Sequence, residues 1–152
     1  MFSVENCLEY AFRWAYEYNP NYYNFTYLGG DCTNFISQCL FAGGFKMDYT
    51  PYGWYYNFVN DRVPSWTGVN EFWSYAINND KSVGVKLKQV NLDNVELCSV
   101  IQLFNGDRFY HSLLVTSIDN GIIKVTAHDN NVKNVPLKYY NYKDIRIGNI
   151  VI

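Results

Sequence analysis

The chain has 152 residues and a formal net charge of −2; 49% of its residues are hydrophobic and 17% are charged. A chain of this length can bury a core without disulfide support, so residues 1–152 are predicted to form a single domain. The slightly acidic balance lacks the basic footprint of nucleic-acid binders, which excludes that class of partner from our expectation. The sequence has no run of the ~20 apolar residues that span a bilayer, so we expect no membrane partner.

The start of the chain, MFSVENCLEYAF, lacks the basic region and the apolar stretch of a signal peptide. A cytoplasmic location is therefore the default expectation. A cell-wall or secreted location stays open if a leader has been removed. The oligomeric state is left open by the sequence.

The first predicted helix covers residues 3 to 18, where small and apolar side chains recur at helical spacing. Ser3 is its candidate N-cap, and Asn19-Pro20 would stop it. The following segment, NPNYYNFTYLGG, is predicted to be a loop.

The second predicted helix covers about residues 32 to 42. Asp31 is expected to accept hydrogen bonds from the free N–H groups at its start, and Gly43-Gly44 to supply its left-handed end. Residues 45 to 64 contain YTPYGWYY and two prolines, and are predicted to form a long ordered loop.

A third helix is predicted over about residues 68 to 78, and from residue 84 onward the hydrophobic period changes to two. The expected strands are VKLKQV, SVIQLF, RFYHSLLVTSI, GIIKVTAH and DIRIGNIVI, with a shorter possibility at VPLKYY. Helices that precede strands predict an α+β fold with a mostly antiparallel sheet.

The four cysteines show neither a CxxC pair nor zinc-knuckle spacing, so Cys7, Cys39 and Cys98 are expected to be buried free thiols. Cys32 differs because it stands at a predicted helix start, where the macrodipole favours a thiolate. The carboxylate of Asp31 opposes this effect unless it is engaged in capping.

The two histidines lie on a predicted hairpin whose turn is Asn120-Gly121, a strong signal for a two-residue type I′ turn. That register places His111 opposite Asn130 and diagonal to His128, all on one face. Asp129 then falls on the other face, and a bulge would reverse the assignment.

A thiol, an imidazole and a polar group that orients the imidazole are what thiol acyl transfer requires. The sequence therefore favours Cys32, His111 and His128 as catalytic residues, with Asn130 as the alternative third member. Three other interpretations stay open: a structural cysteine in a non-catalytic module, a zinc site formed by Cys32 and the two histidines, and a thioester-forming acyltransferase. We expect no metal and no cofactor.

The segments GGDCTNFISQCLFAGG, PSWTGVNEFWSYA, YHSLLVTSI and VTAHDNN resemble the "putative amidase domain" family of Gram-positive bacteria, which is related to the papain-like NlpC/P60 and CHAP proteins. The resemblance covers nearly the whole chain. It implies a papain-like fold in which the Cys-bearing helix packs on an antiparallel sheet. It also implies a cysteine peptidase or amidase with Cys32 as nucleophile, His111 as base and His128 as third member. The implied partner is a peptide or a peptidoglycan fragment of the cell wall.

Four further residues are candidates around the site. The N–H of Cys32 is expected to stabilise an oxyanion, and Tyr27 is a candidate hydroxyl donor because an upstream tyrosine serves so in some NlpC/P60 relatives. Gly30 is expected to allow close approach of the substrate to the backbone. Trp54 is a candidate wall of the groove, with burial in the core as the other interpretation, and Asp31 borders the nucleophile.

Overall fold

The computed structural model describes residues 1–152 and has an α+β architecture. The four helices are α1 (Val4–Trp14), α2 (Cys32–Gly43), α3 (Pro64–Thr67) and α4 (Val69–Asn78). The eight strands are β1 (Tyr56–Phe58), β2 (Asp61–Arg62), β3 (Leu87–Val90), β4 (Val100–Phe104), β5 (Phe109–Asp119), β6 (Ile122–Ala127), β7 (Val132–Pro136) and β8 (Asp144–Ile150). None of the helices has both the length and the apolar character needed to cross a bilayer.

The ends of α1 and α2 follow local chemistry. The Ser3 hydroxyl accepts a hydrogen bond from the N–H of Asn6 at 3.1 Å, which confirms the predicted cap of α1. This helix ends at Trp14, four residues earlier than predicted, and the Trp14 carbonyl accepts a hydrogen bond from the ring of His128. At the end of α2, Gly44 has a φ of 126° and its N–H donates to two carbonyls of the last turn, as predicted.

The segment predicted to be a loop at 45–64 contains regular structure. A bridge joins Asp48 to Trp54, and strands β1 and β2 form a short hairpin. Helix α3 begins at Pro64, whose fixed φ suits the first position of a helix. The prediction of Trp54 as a groove wall is wrong: its side chain is fully buried, and its ring N–H donates to the Ser37 hydroxyl at 3.1 Å.

The main sheet has six strands in the order β3-β8-β4-β5-β6-β7, and every neighbouring pair is antiparallel. The predicted strands are therefore confirmed to within a few residues. The exception is VPLKYY, in which only the first two residues belong to β7. The next three form a short 3-10 turn, Leu137–Tyr139.

The register of the β5–β6 hairpin determines on which face of the sheet each of the two histidines lies. At the turn the predicted register is confirmed, with Asp119 opposite Ile122. A bulge between Val115 and Ser117 then shifts the register by one residue, so Leu114 lies opposite Thr126. Because side chains alternate faces along a strand, this single extra residue exchanges the faces of every position beyond it.

Apolar side chains pack on both faces of this sheet. One cluster joins helices α1, α2 and α4 to the sheet through residues such as Phe35, Phe72 and Leu114. A second cluster covers the opposite face and includes Leu103 and Leu113. Residues 98–103 and 111–116 are buried where these clusters meet the sheet, and the polar groups in these two segments must find partners inside the protein.

Candidate active site

Cys32 is the first residue of α2, and its side chain lies where that helix meets β5. The residue is 5% exposed, and its sulfur lies 3.8 Å from the Thr33 hydroxyl. Thr33 in turn hydrogen-bonds the Ser112 hydroxyl at 3.0 Å. Helix start and strand are thus joined next to the thiol, which fixes the position of the sulfur relative to β5.

His111 lies on β5 next to this junction, and it is 7% exposed. The Cys32 sulfur, a ring nitrogen of His111 and a carboxylate oxygen of Asp129 all lie within 4.8 Å of one another. The structure therefore brings together the two side chains that the sequence selected as nucleophile and base. The third member of this cluster is Asp129, which the predicted register had placed on the other face of the sheet.

Asp129 caps helix α2 from a distant part of the chain. Its carboxylate accepts hydrogen bonds from the N–H of Asp31 at 2.9 Å and from the N–H of Cys32 at 3.2 Å. Gly30 makes room for this contact: its φ is +95°, and a Cβ there would lie 2.8 Å from the Asp129 carboxylate. The close approach predicted at Gly30 is thus made by the protein's own carboxylate.

Asp31 does not cap α2, and that prediction is wrong. Its buried carboxylate accepts from the N–H of Phe25 at 2.8 Å and from the side-chain amide of Asn34 at 2.9 Å, and it pairs with Nδ1 of His128. Its acceptor capacity is therefore used by the N–H of Phe25 and by the side chains of Asn34 and His128, and not by the backbone N–H groups of the first turn.

His128 is buried away from the thiol cluster. Its Nδ1 contacts Asp31, and its Nε2 lies 2.7 Å from the Trp14 carbonyl. Since a carbonyl can only accept, Nε2 carries a proton, and the Asp31 carboxylate faces the other nitrogen. The contact between Nδ1 and the Asp31 carboxylate is buried, and the ring of Phe35 stacks on the imidazole with the ring centroids 4.0 Å apart.

The predicted placement of His128 beside His111 is therefore wrong, and the bulge in β5 is the reason. Two other candidates also lie apart from the cluster's core. Asn130 is exposed on the rim, with a φ of 55°, and Tyr27 is 99% exposed. Tyr27 therefore lies in solvent rather than at a buried oxyanion site.

The charge states of the cluster are governed by burial. Burial raises the pKa of the Cys32 thiol to about 12, and the nearby negative charge of Asp129 acts in the same direction. Burial lowers the pKa of His111 from its usual 6.5, and Asp129 opposes that shift. Thiol and imidazole are therefore both neutral near pH 7, contrary to the thiolate that the helix position predicted.

A cleft of about 640 Å³ opens beside His111 and Asp129. The remaining lining residues are aromatic, amide or aliphatic: Tyr110, Asn130, Asn131, Val132, Tyr139, Tyr140 and Asn141. Asp129 contributes the only charged side chain of this surface. The cleft thus offers stacking surfaces and neutral hydrogen-bonding groups next to the imidazole.

Residues 2–150 match the family described as "Putative amidase domain". The chain belongs to this family. Two relatives from Bacillus subtilis (strain 168) are similar to it: the uncharacterized protein YhbB, 31% identical over 147 residues, and the uncharacterized protein YjcM, 32% identical over 150 residues. Each match covers 90% of this chain but only 43% and 33% of the respective relative, so this amidase domain spans less than half of either protein. No solved structure matches the chain.

The sequence did not identify Asp129 as a member of the candidate site with Cys32 and His111. The residue stands directly after His128 in the segment AHDNN. An aspartate beside a candidate histidine is a visible signal, but the unbulged register assigned it to the wrong face. The left-handed φ of 65° at Asp129 then turns its carboxylate toward the start of α2.

Proposed function

We propose that the chain is a cysteine-dependent amide or peptide hydrolase with a papain-like arrangement, in which Cys32 is the nucleophile and His111 the general base. The observation that carries this proposal is the approach of the sulfur, imidazole and carboxylate to within 4.8 Å of one another beside an open cleft. Membership in a family described as amidases agrees with it.

The first step follows from the neutral state of the pair. A neutral imidazole accepts the proton of the Cys32 thiol as the sulfur attacks the amide carbonyl, so base and nucleophile act together rather than from a preformed ion pair. His111 then donates that proton to the leaving amine, and water hydrolyses the thioester.

We assign the third role to Asp129 in preference to His128 or Asn130. Its negative charge lies close to His111 and favours the imidazolium that forms during attack. In the resting protein the same carboxylate accepts from the helix N–H groups, which holds it next to the ring. The contacts of His128 give it a positioning role, because they tie Asp31 and α1 to the loop that carries Asp129.

The proposed substrates are peptides, including peptidoglycan stem peptides. The lining of the cleft supports this class, since tyrosines and asparagines can stack on and hydrogen-bond an extended peptide. Incubation of the protein with a muropeptide mixture, followed by mass spectrometry, tests the proposal. Hydrolysis adds one water in total, with OH on the acyl fragment and H on the amine fragment, whereas acyl transfer joins the acyl fragment to another amine, so product masses separate the two reactions.

The matched controls are Cys32→Ala and Cys39→Ala. The first removes the sulfur of the cluster, and the second removes a thiol that is fully buried in the core. We expect products with Cys39→Ala and none with Cys32→Ala. Cleavage that survives Cys32→Ala would exclude the thiol mechanism.

The same cluster favours one second candidate, a zinc-binding module. Cys, His and Asp are all zinc ligands, and the open cleft leaves a fourth position for water. A tetrahedral site places ligand atoms about 3.5 Å apart, so small side-chain rotations would be needed. Stoichiometric zinc in the purified protein, lost in Cys32→Ala, together with the absence of muropeptide cleavage after chelation, would favour this candidate.

A further inference from the structure

The proposed hydrolysis requires a donor for the oxyanion, and the donors predicted from the sequence do not supply it. The N–H of Cys32 already donates to Asp129 at 3.2 Å. The hydroxyl of Tyr27 belongs to a side chain that is 99% exposed. A preorganised donor must instead point into the space next to the sulfur and be free to bind.

The Tyr140 hydroxyl is a candidate for such a donor. Tyr140 directly follows the 3-10 turn Leu137–Tyr139 and lines the same cleft as His111, with the two ring centroids 5.8 Å apart. Its hydroxyl oxygen is buried and has no hydrogen-bond partner. Proteins seldom leave a buried hydroxyl unpaired, so such a group in a cleft calls for a partner that arrives with a ligand.

We propose that the hydroxyl of Tyr140 donates a hydrogen bond to the oxyanion that forms when Cys32 attacks a substrate carbonyl. This inference rests on the proposed thiol hydrolysis and adds a catalytic residue to it. Tyr140 comes from the turn after β7, so the oxyanion donor lies on a different element from both the nucleophile and the base.

The ionisation of Tyr140 suits a donor. Burial raises the pKa of Tyr140 to about 12, so the hydroxyl keeps its proton at neutral pH. Lesser causes of the same shift are the charges of Tyr139, Tyr110 and Cys32.

The step balances without any added reactant. His111 removes the thiol proton, the sulfur forms a bond to the carbonyl carbon, and the electron pair of the carbonyl π bond moves onto oxygen. Tyr140 shares its proton with that oxygen but retains it. Collapse of the intermediate restores the carbonyl and expels the leaving group, leaving a thioester on Cys32.

Two probes separate stabilisation of an oxyanion from reactivity of the thiol. Acylation by p-nitrophenyl acetate passes through a tetrahedral oxyanion and releases p-nitrophenolate, whereas alkylation by iodoacetamide forms no oxyanion. For Tyr140→Phe we expect acylation to slow by about 100-fold or more, with the alkylation rate of Cys32 unchanged within about twofold. Tyr142→Phe, which alters an exposed hydroxyl two residues along the chain and outside the cleft, is the matched control and should leave both rates unchanged.

Two results would overturn the assignment. Equal slowing of both reactions would show that Tyr140 only positions the thiol, and wild-type rates for both would show that its hydroxyl is idle. Cys32→Ala separates these outcomes from failure of the proposed function. If p-nitrophenolate release persists in that variant, the thiol mechanism fails; if it disappears while Tyr140→Phe reacts normally, only the role of Tyr140 fails.

Discussion

The two histidines of this chain have opposite surroundings, although the sequence presents them as equivalent candidates. His128 is fixed by hydrogen bonds at both ring nitrogens, to Asp31 and to the Trp14 carbonyl. The ring of His111 has no hydrogen bond within the protein and lies between a thiol, a carboxylate and an open cleft. A ring whose nitrogens are both occupied is poorly placed to exchange protons with a substrate, which supports our choice of His111 as the proposed base.

The separation has a single geometric origin. Had β5 and β6 kept the register of their turn, both rings would share one face of the sheet. The bulge between Val115 and Ser117 sends His128 toward helices α1 and α2 and leaves His111 beside Asp129. One extra residue in β5 thus places the two histidines in different surroundings: His128 is held by hydrogen bonds in the interior, and His111 lies beside the cleft.

The largest expected difference between the two rings is in turnover. His111→Asn should lower cleavage of the muropeptide probe by about 100- to 10,000-fold, because the base of the thiol attack is lost. Thermal unfolding should remain close to that of the unmodified protein, since the ring makes no hydrogen bond in the fold. A His111→Asn protein that keeps its turnover, or one that is strongly destabilised, would contradict the division of roles. Steady-state rates and calorimetry on the same sample measure both.

The same substitution at the other ring should affect stability instead. His128→Asn removes the ring that pairs with the buried Asp31 carboxylate and leaves that carboxylate without this partner. We expect a loss of about 3–5 kcal/mol in the free energy of unfolding. Urea denaturation followed by tryptophan fluorescence measures it, with His111→Asn as the matched control. Similar stability of the two variants would disprove the assignment.

Gly30 provides a smaller effect, with Gly29 as a close control. Both have a φ near +90°, so alanine at either position bears the cost of a left-handed conformation, about 1–2 kcal/mol. Only at Gly30 would the added Cβ meet the Asp129 carboxylate. We expect Gly30→Ala to cost a further 1–3 kcal/mol, roughly, in urea denaturation and to change the alkylation rate of Cys32. Equal effects at the two glycines would show that the contact is unimportant.

Asp129→Asn should move two readouts in opposite directions. Its negative charge raises the pKa of both Cys32 and His111, so removal lowers both. Alkylation of Cys32 at pH 8 should accelerate, about tenfold for each pH unit by which the thiol pKa falls. The acid limb of turnover should move to lower pH, while the maximal rate falls because the imidazolium loses its counter-charge. Asp107→Asn, which removes an exposed carboxylate outside the cleft, is the control, and parallel changes in both readouts would contradict the scheme.

Much of this molecule could be predicted from its sequence where the signal is local. The caps at Ser3 and Gly44, the α+β order and the Asn120-Gly121 turn all depend on a few adjacent residues, and the structure confirms them. The position of Cys32 at the start of α2 has the same origin. Periodicity and capping chemistry are sufficient for features of this kind.

The rest depends on contacts between distant segments. No pattern within β5 marks the bulge, since Thr116 is stabilised by hydrogen bonds to Thr126 and Asn134 that exist only in the folded sheet. Nor could the sequence show that Asp31 would be engaged elsewhere, because its partners include His128. The thiolate prediction failed for a related reason: the helix dipole is visible in sequence, whereas the burial that outweighs it is not.

The carboxylate that closes the start of α2 comes from a residue 97 positions later than Cys32. During synthesis the ribosome therefore releases the whole of this helix well before its cap exists. The first turn gains its partner only when the hairpin that carries Asp129 has docked. The capped start of α2 and the cluster of Cys32, His111 and Asp129 are consequently completed in one event, and a chain truncated before that hairpin would carry Cys32 without the carboxylate beside it.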